Sequence, residues 1–258
     1  LGSKGVRQVA KHISIAGKGG TGKTTLAALL IRFLCERGKT PILAIDADPN
    51  SNLGEALGMK VKGTVADILA DVKNPRAVPP GMSKHSFIEY RLNTALTESP
   101  KVDLLTMGGP EGPGCYCAPN DILRGYIGKL KDNYPYMVMD NEAGLEHLSR
   151  RIAQDVDIMI ITTDPTVRGV RSAGRIAQLV RSLKLDYRKL SMVMCMASEE
   201  QAEGLRREIE ETGVELGGVV PRDPMIEELD LEGRPLIELL ESSPAYRAVC
   251  EIAERLGI

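Results

Sequence analysis

Gly17-Lys18-Gly19-Gly20-Thr21-Gly22-Lys23-Thr24-Thr25 separates an apolar run, His12-Ile13-Ser14-Ile15-Ala16, from a segment of different period. In that segment Leu26, Leu29, Leu30, Phe33 and Leu34 fall at i, i+3, i+4, i+7 and i+8, one face of a helix. Gly38 is a natural stop for it. Gly17 through Thr24 meets the spacing G-x-x-x-x-G-K-[ST] in the context that gives it meaning, after a strand and before a helix. Glycines let successive backbone N–H groups converge on phosphate oxygens, and the positive helix end adds to them. The loop Gly19, Gly20, Thr21, Gly22, Lys23, Thr24 and Thr25 is therefore predicted to hold a nucleotide's phosphates. Lys23 reaches the β- and γ-phosphates, and the Thr24 hydroxyl ligates Mg²⁺.

Strand and helix patterns alternate outward from this loop. Further buried strands are predicted at Ile42–Asp46, Val102–Thr106, Tyr136–Asp140, Asp157–Thr163, Met192–Met196 and Leu216–Val220. Helical patterns at Val167–Leu183 and Gln201–Thr212 separate some of them. Continuous apolar strands alternating with helices predict an α/β fold, a mostly parallel sheet of about seven strands with helices on both faces. Residues 1–258 read as a single domain. Ligands in such folds sit at the carboxyl ends of the strands, where the glycine loop, Asp46, Asp48 and Asp140 all fall. Asp71–Pro100, with Pro75, Pro79, Pro80 and Gly81, reads as an irregular excursion within the domain.

Composition removes several function classes. Charged residues are 26% of the chain, the formal net charge is −2, and there is no Trp and only Phe33 and Phe87. Neither a basic block nor an aromatic platform offers itself to nucleic acid. No apolar run approaches a membrane span and no signal sequence opens the chain, so a cytoplasmic protein with no membrane partner is expected. Five cysteines, an odd number, do not form a secreted disulfide framework. Cys35, Cys195 and Cys250 fall on apolar faces and are expected to pack in the core.

Lys18 is not required by the basic phosphate motif. With it, Lys18, Gly19, Gly20, Gly22, Lys23, Thr24 and Thr25 match K-G-G-x-G-K-[ST]-T, and the sequence resembles the deviant Walker A ATPases, the family of MinD, ParA and the nitrogenase iron protein. The resemblance implies ATP/ADP as ligand, a homodimer, and a Lys18 that reaches across it to the partner's nucleotide. Lys18, Lys23 and Asp48 are then the catalytic residues. Asp46-Ala47-Asp48-Pro49-Asn50-Ser51-Asn52 looks like the family's first switch, in which Asp46 holds a water of the Mg²⁺ shell and Asp48 orients the attacking water. Asp140-Asn141-Glu142-Ala143-Gly144 looks like the second, with Asp140 on Mg²⁺ and the Gly144 N–H near the γ-phosphate. Pro221, Arg222 and Asp223 resemble the segment that lies along the adenine. Many relatives read the base with an Asn after the sixth strand, where this chain has Met194-Cys195-Met196-Ala197.

A second motif, Gly114-Cys115-Tyr116-Cys117, follows a strand and a Gly/Pro-rich loop. Residues i and i+2 of extended backbone face the same way, so both thiols address one ligand. Their Cα atoms lie about 6.6 Å apart when extended. Two sulfurs on a tetrahedral metal are only about 3.8 Å apart, a gap that a modest bend closes. A two-fold dimer would bring Cys115 and Cys117 of each copy together as a four-thiolate site for Ni²⁺ or Zn²⁺. This stretch resembles the CooC-type maturation ATPases, and the resemblance implies a client nickel enzyme, carbon monoxide dehydrogenase or acetyl-CoA synthase. An electron-transfer ATPase like the nitrogenase iron protein wants a second cysteine after the second switch, and Gly144–Ile161 has none. A positioning ATPase like MinD wants a basic amphipathic tail, whereas Arg247 and Arg255 are balanced by Glu251 and Glu254.

Overall fold

In a computed structural model of the protein, residues 10–73, 77–109, 125–143 and 156–258 are described. The strands are β1 (Lys11–Gly17), β2 (Ile42–Ala47), β3 (Val102–Thr106), β4 (Tyr136–Asn141), β5 (Val156–Thr163), β6 (Tyr187–Cys195) and β7 (Glu215–Val220). They form one seven-stranded sheet in the order β3-β2-β4-β1-β5-β6-β7, with every pair parallel. Each predicted strand is present, with ends displaced by up to five residues. The helices whose ends both lie among the described residues are α1 (Lys23–Glu36), α2 (Leu53–Ala56), α3 (Val65–Lys73), α4 (Lys84–Ala95), α5 (Val167–Ser182), α6 (Glu199–Gly204), α7 (Arg206–Thr212), α8 (Pro224–Glu232) and α9 (Pro244–Leu256).

Period-two alternation in the strands divides the core into two layers. Ile13, Ile15, Ala44, Val138, Ile158 and Ile160 face α1 and α9. Ala16, Ile45, Met137, Met139, Met159 and Ile161 face α3, α4, α5 and α7. Both faces are covered, which is why the strands read as nearly unbroken apolar runs. The sheet order β3-β2-β4-β1 puts β2 and β4 beside each other in register, so Asp46 stands opposite Asp140 at their carboxyl ends. That pairing is long-range; nothing local in the sequence brings the two carboxylates together.

Two expectations need correction. Asp71–Pro100 is not irregular, because α3 runs into it and α4 occupies Lys84–Ala95. The preceding prolines mask a helix start: Ser83 is the N-cap and its hydroxyl accepts from Ser86 N at 3.0 Å. Only Phe87, Ile88, Leu92 and Ala95 of α4 are buried, too sparse a stripe to stand out from the sequence. The expected helix Gln201–Thr212 is two, α6 and α7, broken at Leu205 after Gly204. Gly is a poor helix former, and Ser198 and Gln201 fix the start of α6 with a reciprocal capping box.

Candidate functional site: a phosphate loop and two buried carboxylates

β1 ends at Gly17, whose lack of a side chain is a packing requirement. A Cβ there would lie 2.2 Å from Thr162 Oγ1 and 2.9 Å from the Thr162 carbonyl. The Thr21 hydroxyl is buried, donates to the Lys18 carbonyl at 2.7 Å and lies 2.7 Å from Thr162 Oγ1. Its side chain braces the loop against β5. Gly22 caps α1 at φ 81 with no side-chain cap, so first-turn N–H groups of α1 are left for a ligand. Beside them Lys23 is only 6% exposed, its Nζ 3.4 Å from the Lys18 carbonyl. Its charge also acts on the Asp140 carboxylate, and its long carbonyl contact leaves it free to take a further anion.

The Thr24 hydroxyl donates to Asp140 Oδ2 at 2.6 Å. Asp140 Oδ1 is buried with no hydrogen-bond partner among the described residues. Burial pushes the Asp140 carboxyl up to about 7, opposed by the Thr24 hydrogen bond and reinforced by the charge of Asp46. Asp46 is pushed up to about 6, again by burial, against backbone hydrogen bonds from Leu53 and Asp48. An orphaned carboxylate oxygen beside a hydroxyl, with a second carboxylate opposite, is a hard-oxygen donor set suited to Mg²⁺. The residues present fit that ion, with Thr24 and Asp140 as the groups that would hold it.

Asp46 also shapes the segment expected to be the first switch. Its Oδ1 accepts from Asp48 N at 3.2 Å and its Oδ2 from Leu53 N at 2.9 Å. The loop 48–52 is thereby hung from a site carboxylate. Asp48 Oδ1 accepts from Asn50 N at 2.9 Å and Asn50 Nδ2 at 2.8 Å, so the side chain closes its own loop here. Asn52 stands at the N-cap of α2 and lines, with Thr24, Thr25 and Arg234, a cleft of about 700 Å³. Gly144, Cys115 and Cys117 lie outside the described residues. Among the described residues no group of three or more His, Cys, Asp or Glu could hold a metal ion.

On the other side of Thr25 is a cavity of about 210 Å³. Gly22, Leu26, Cys195, Met196, Pro221 and Arg222 are among its lining residues. It gathers the segment after β6 and the segment after β7 at one end of the loop. Cys195 forms part of its wall as well as of the core, and burial pushes its thiol up to about 12. Cys35 and Cys250 are half-buried and pack against the α1/α9 layer. Asp223, expected along the base, is buried in the wall of this cavity, and its carboxylate accepts from its own chain. It accepts from Met225 N at 3.0 Å, Ala245 N at 3.2 Å and the Ser243 hydroxyl, holding the starts of α8 and α9 together. Arg222 is exposed and paired with Glu227 at 2.6 Å.

Residues 13–236 match the CobQ/CobB/MinD/ParA nucleotide binding domain. The chain belongs to that family. Over 95% of its length it is 42% identical to an uncharacterized ATP-binding protein of Methanocaldococcus jannaschii, covering 97% of that protein. It is 30% identical over 183 residues to the carbon monoxide dehydrogenase accessory protein CooC of Rhodospirillum rubrum, covering 66% of this chain and 69% of CooC. Among solved structures, the MinD cell division protein of Aquifex aeolicus superposes with a TM-score of 0.71 at 25% identity, covering 96% and 97% of the two chains.

For a family member, three residues went unassigned in the sequence. Thr162 braces the loop through Thr21, Ser243 joins Asp223 at the two helix starts, and Asn141 anchors the end of β4. The Asn141 amide donates to Ser14 Oγ at 2.8 Å and the Ile15 carbonyl at 2.7 Å. Ser243 had a legible signal, a Ser followed by Pro at the start of an amphipathic helix. Thr162 and Asn141 had none, because their partners are more than 120 residues away.

Proposed function

We propose that the chain is a Mg²⁺-dependent ATPase that closes as a homodimer around its nucleotides and uses that closure to hold a soft metal for delivery to a nickel enzyme. The observation that carries the ATPase reading is the Thr24–Asp140 contact beside an orphaned carboxylate oxygen and a nearly buried lysine. Lys23 and the α1 N-terminus bind and orient the phosphates, which fixes the scissile bond against preorganised donors. Bound Mg²⁺ supplies Lewis-acid neutralisation of the phosphate oxygens. Asp48 leaves its contacts with Asn50 when the loop 48–52 rearranges, and its carboxylate then orients the attacking water. Phosphate release from ATP, measured with Mg²⁺ and with EDTA, tests the activity directly.

Lys18 is exposed at the rim of the loop, the position from which a side chain reaches another copy. Lys18→Ala is expected to keep nucleotide affinity in the monomer within about threefold, because Lys23 and the backbone make the in-chain contacts. Turnover should fall about a hundredfold, the loss that follows removal of one preorganised transition-state donor. Steady-state hydrolysis and light scattering with ATP read the two effects, and wild-type turnover in Lys18→Ala would overturn the trans role.

Cys115 and Cys117 are proposed as the metal ligands, two thiolates from each copy on Ni²⁺ or Zn²⁺. The support is the resemblance of the cysteine motif together with the similarity to CooC. Thiolates bind metal only when deprotonated, so affinity should fall as pH falls. Cys115→Ser with Cys117→Ser should remove the metal and leave ATP binding intact. Metal-to-protein stoichiometry is the measurement, and one tightly held metal per monomeric chain would refute the shared site. The client's identity and a cytoplasmic location belong to this reading.

A further inference from the structure

Gly233 ends α8 at φ 65, and the Arg234 N–H closes the helix on the Leu229 carbonyl at 2.9 Å. The chain then reverses through Pro235 and a single 3₁₀ turn, Leu236–Glu238, which lies against α8. A groove of about 190 Å³ remains between the two. Leu229 and Leu239 are its buried floor and belong to the α1/α9 layer, on the other face of the sheet from α5. Met225 and Leu240 border it, the first half-buried and the second 62% exposed. Glu228 lines the groove too, and Leu231, 90% exposed, stands about 60° around α8 from it. Three of the eight large apolar side chains exposed among the described residues, Leu231, Ile237 and Leu240, fall within ten positions here. Single exposed leucines are ordinary on a surface; a cluster beside a groove is not.

The rim of this groove is acidic. α8 carries Glu227, Glu228, Asp230 and Glu232 and no lysine or arginine, although the carbonyl end of a helix favours cations. Arg234, the cation among the lining residues, is already bonded to Glu232 at 3.0 Å and Glu238 at 2.9 Å. Glu227 is paired with Arg222, whereas the Glu228 carboxylate has no partner among the described residues. Uncovered leucine and carboxylates crowded toward the negative end of a helix are both relieved by one ligand, an apolar ridge flanked by cations. We infer that the groove docks a short basic, amphipathic segment of a partner polypeptide. An apolar side chain of the segment fills the groove against Met225 and Leu240, and its lysines or arginines pair with Glu228 and Glu238. A nucleic acid or an anionic lipid surface is repelled by the same carboxylates. This docking does not rest on the ATPase reading.

The test uses the whole chain and a short fluorescein-labelled peptide of Lys and Leu in amphipathic helical order, followed by anisotropy. Binding should weaken as salt rises, since the pairs are exposed to screening. It should fall by about tenfold or more when Glu228 and Glu238 are both changed to Lys. Leu240→Ser should cost about fivefold or more by itself, because the peptide then covers one leucine less. Glu199→Gln with Glu200→Gln on α6, an acidic pair on the other face of the sheet, should leave binding within about twofold. Changing Glu228 and Glu238 to Gln keeps the aliphatic stems and gives the same direction of change should the Lys set misfold. No binding by the wild-type chain, unchanged binding by the groove variants, or equal binding of a scrambled peptide of the same composition would overturn the proposal. So would co-sedimentation with phosphatidylglycerol vesicles that Leu240→Ser abolishes, which would make the groove a lipid contact.

Discussion

Lys23→Ala is expected to weaken ATP binding by about a hundredfold or more. The Lys23 ammonium is 6% exposed and its one hydrogen bond in this state is a 3.4 Å contact with the Lys18 carbonyl. It therefore enters the complex already stripped of most of its water, and its pairing with phosphate is made in a partly dry site. Truncating one partner of such a buried charge pair costs about 2–5 kcal/mol, much of it from the charge left unpaired. Each 1.4 kcal/mol is a factor of about ten in the dissociation constant. Equilibrium titration with a fluorescent ATP analogue measures it. Retained affinity within about threefold would show that the phosphates do not sit on this loop. The fold should survive, because α1 is held by Leu26, Leu29, Leu30 and Leu34.

Asp140→Asn should act in opposite directions on catalysis and on stability. Hydrolysis is expected to fall about a hundredfold or more, since the site loses the anionic ligand that Mg²⁺ requires next to Thr24. Stability of the ligand-free protein should change with pH in the opposite sense. The Asp140 carboxyl stands at about 7 in the folded chain against its ordinary 3.8. The folded chain thus binds this proton more tightly than the unfolded chain, and the stability it confers is complete below about pH 4 and lost as pH rises through about 7. Between pH 5 and pH 8 the wild type should lose about 2–3 kcal/mol from this group, a loss the neutral amide does not suffer. Thermal unfolding in EDTA at the two pH values, for both proteins, is the measurement. A constant difference between them would mean that burial does not hold the carboxyl protonated. Mg²⁺ with nucleotide should abolish the effect in the wild type by supplying the missing countercharge.

The same two aspartates show how far the sequence could be read. Asp46 and Asp140 each end an apolar run, and the position of such residues at strand carboxyl ends marks them as site residues before any coordinates. Their meeting depends on β2 and β4 being neighbours in the sheet, although β3 lies between them in the chain. Thr21 illustrates the reverse. The loop pattern names it among the phosphate-binding residues, yet its hydroxyl turns inward to Lys18 and Thr162. Asp223 likewise falls in a segment expected to lie along the base, and its oxygens are committed to the starts of α8 and α9.

The sequence by itself determined the strand–loop–helix with phosphate-loop spacing, the seven parallel strands, and the aspartates after them. These follow from local signals: glycine spacing, apolar runs and the helical period, each contained within a few residues of chain. Only the tertiary structure decided which carboxylates are buried and raised toward neutral pH, which polar residues brace the loop, and where a helix lies between Ser83 and Leu96. Burial depends on what other elements cover a group, and hydrogen bonds such as Asn141 to Ser14 join residues more than 120 positions apart.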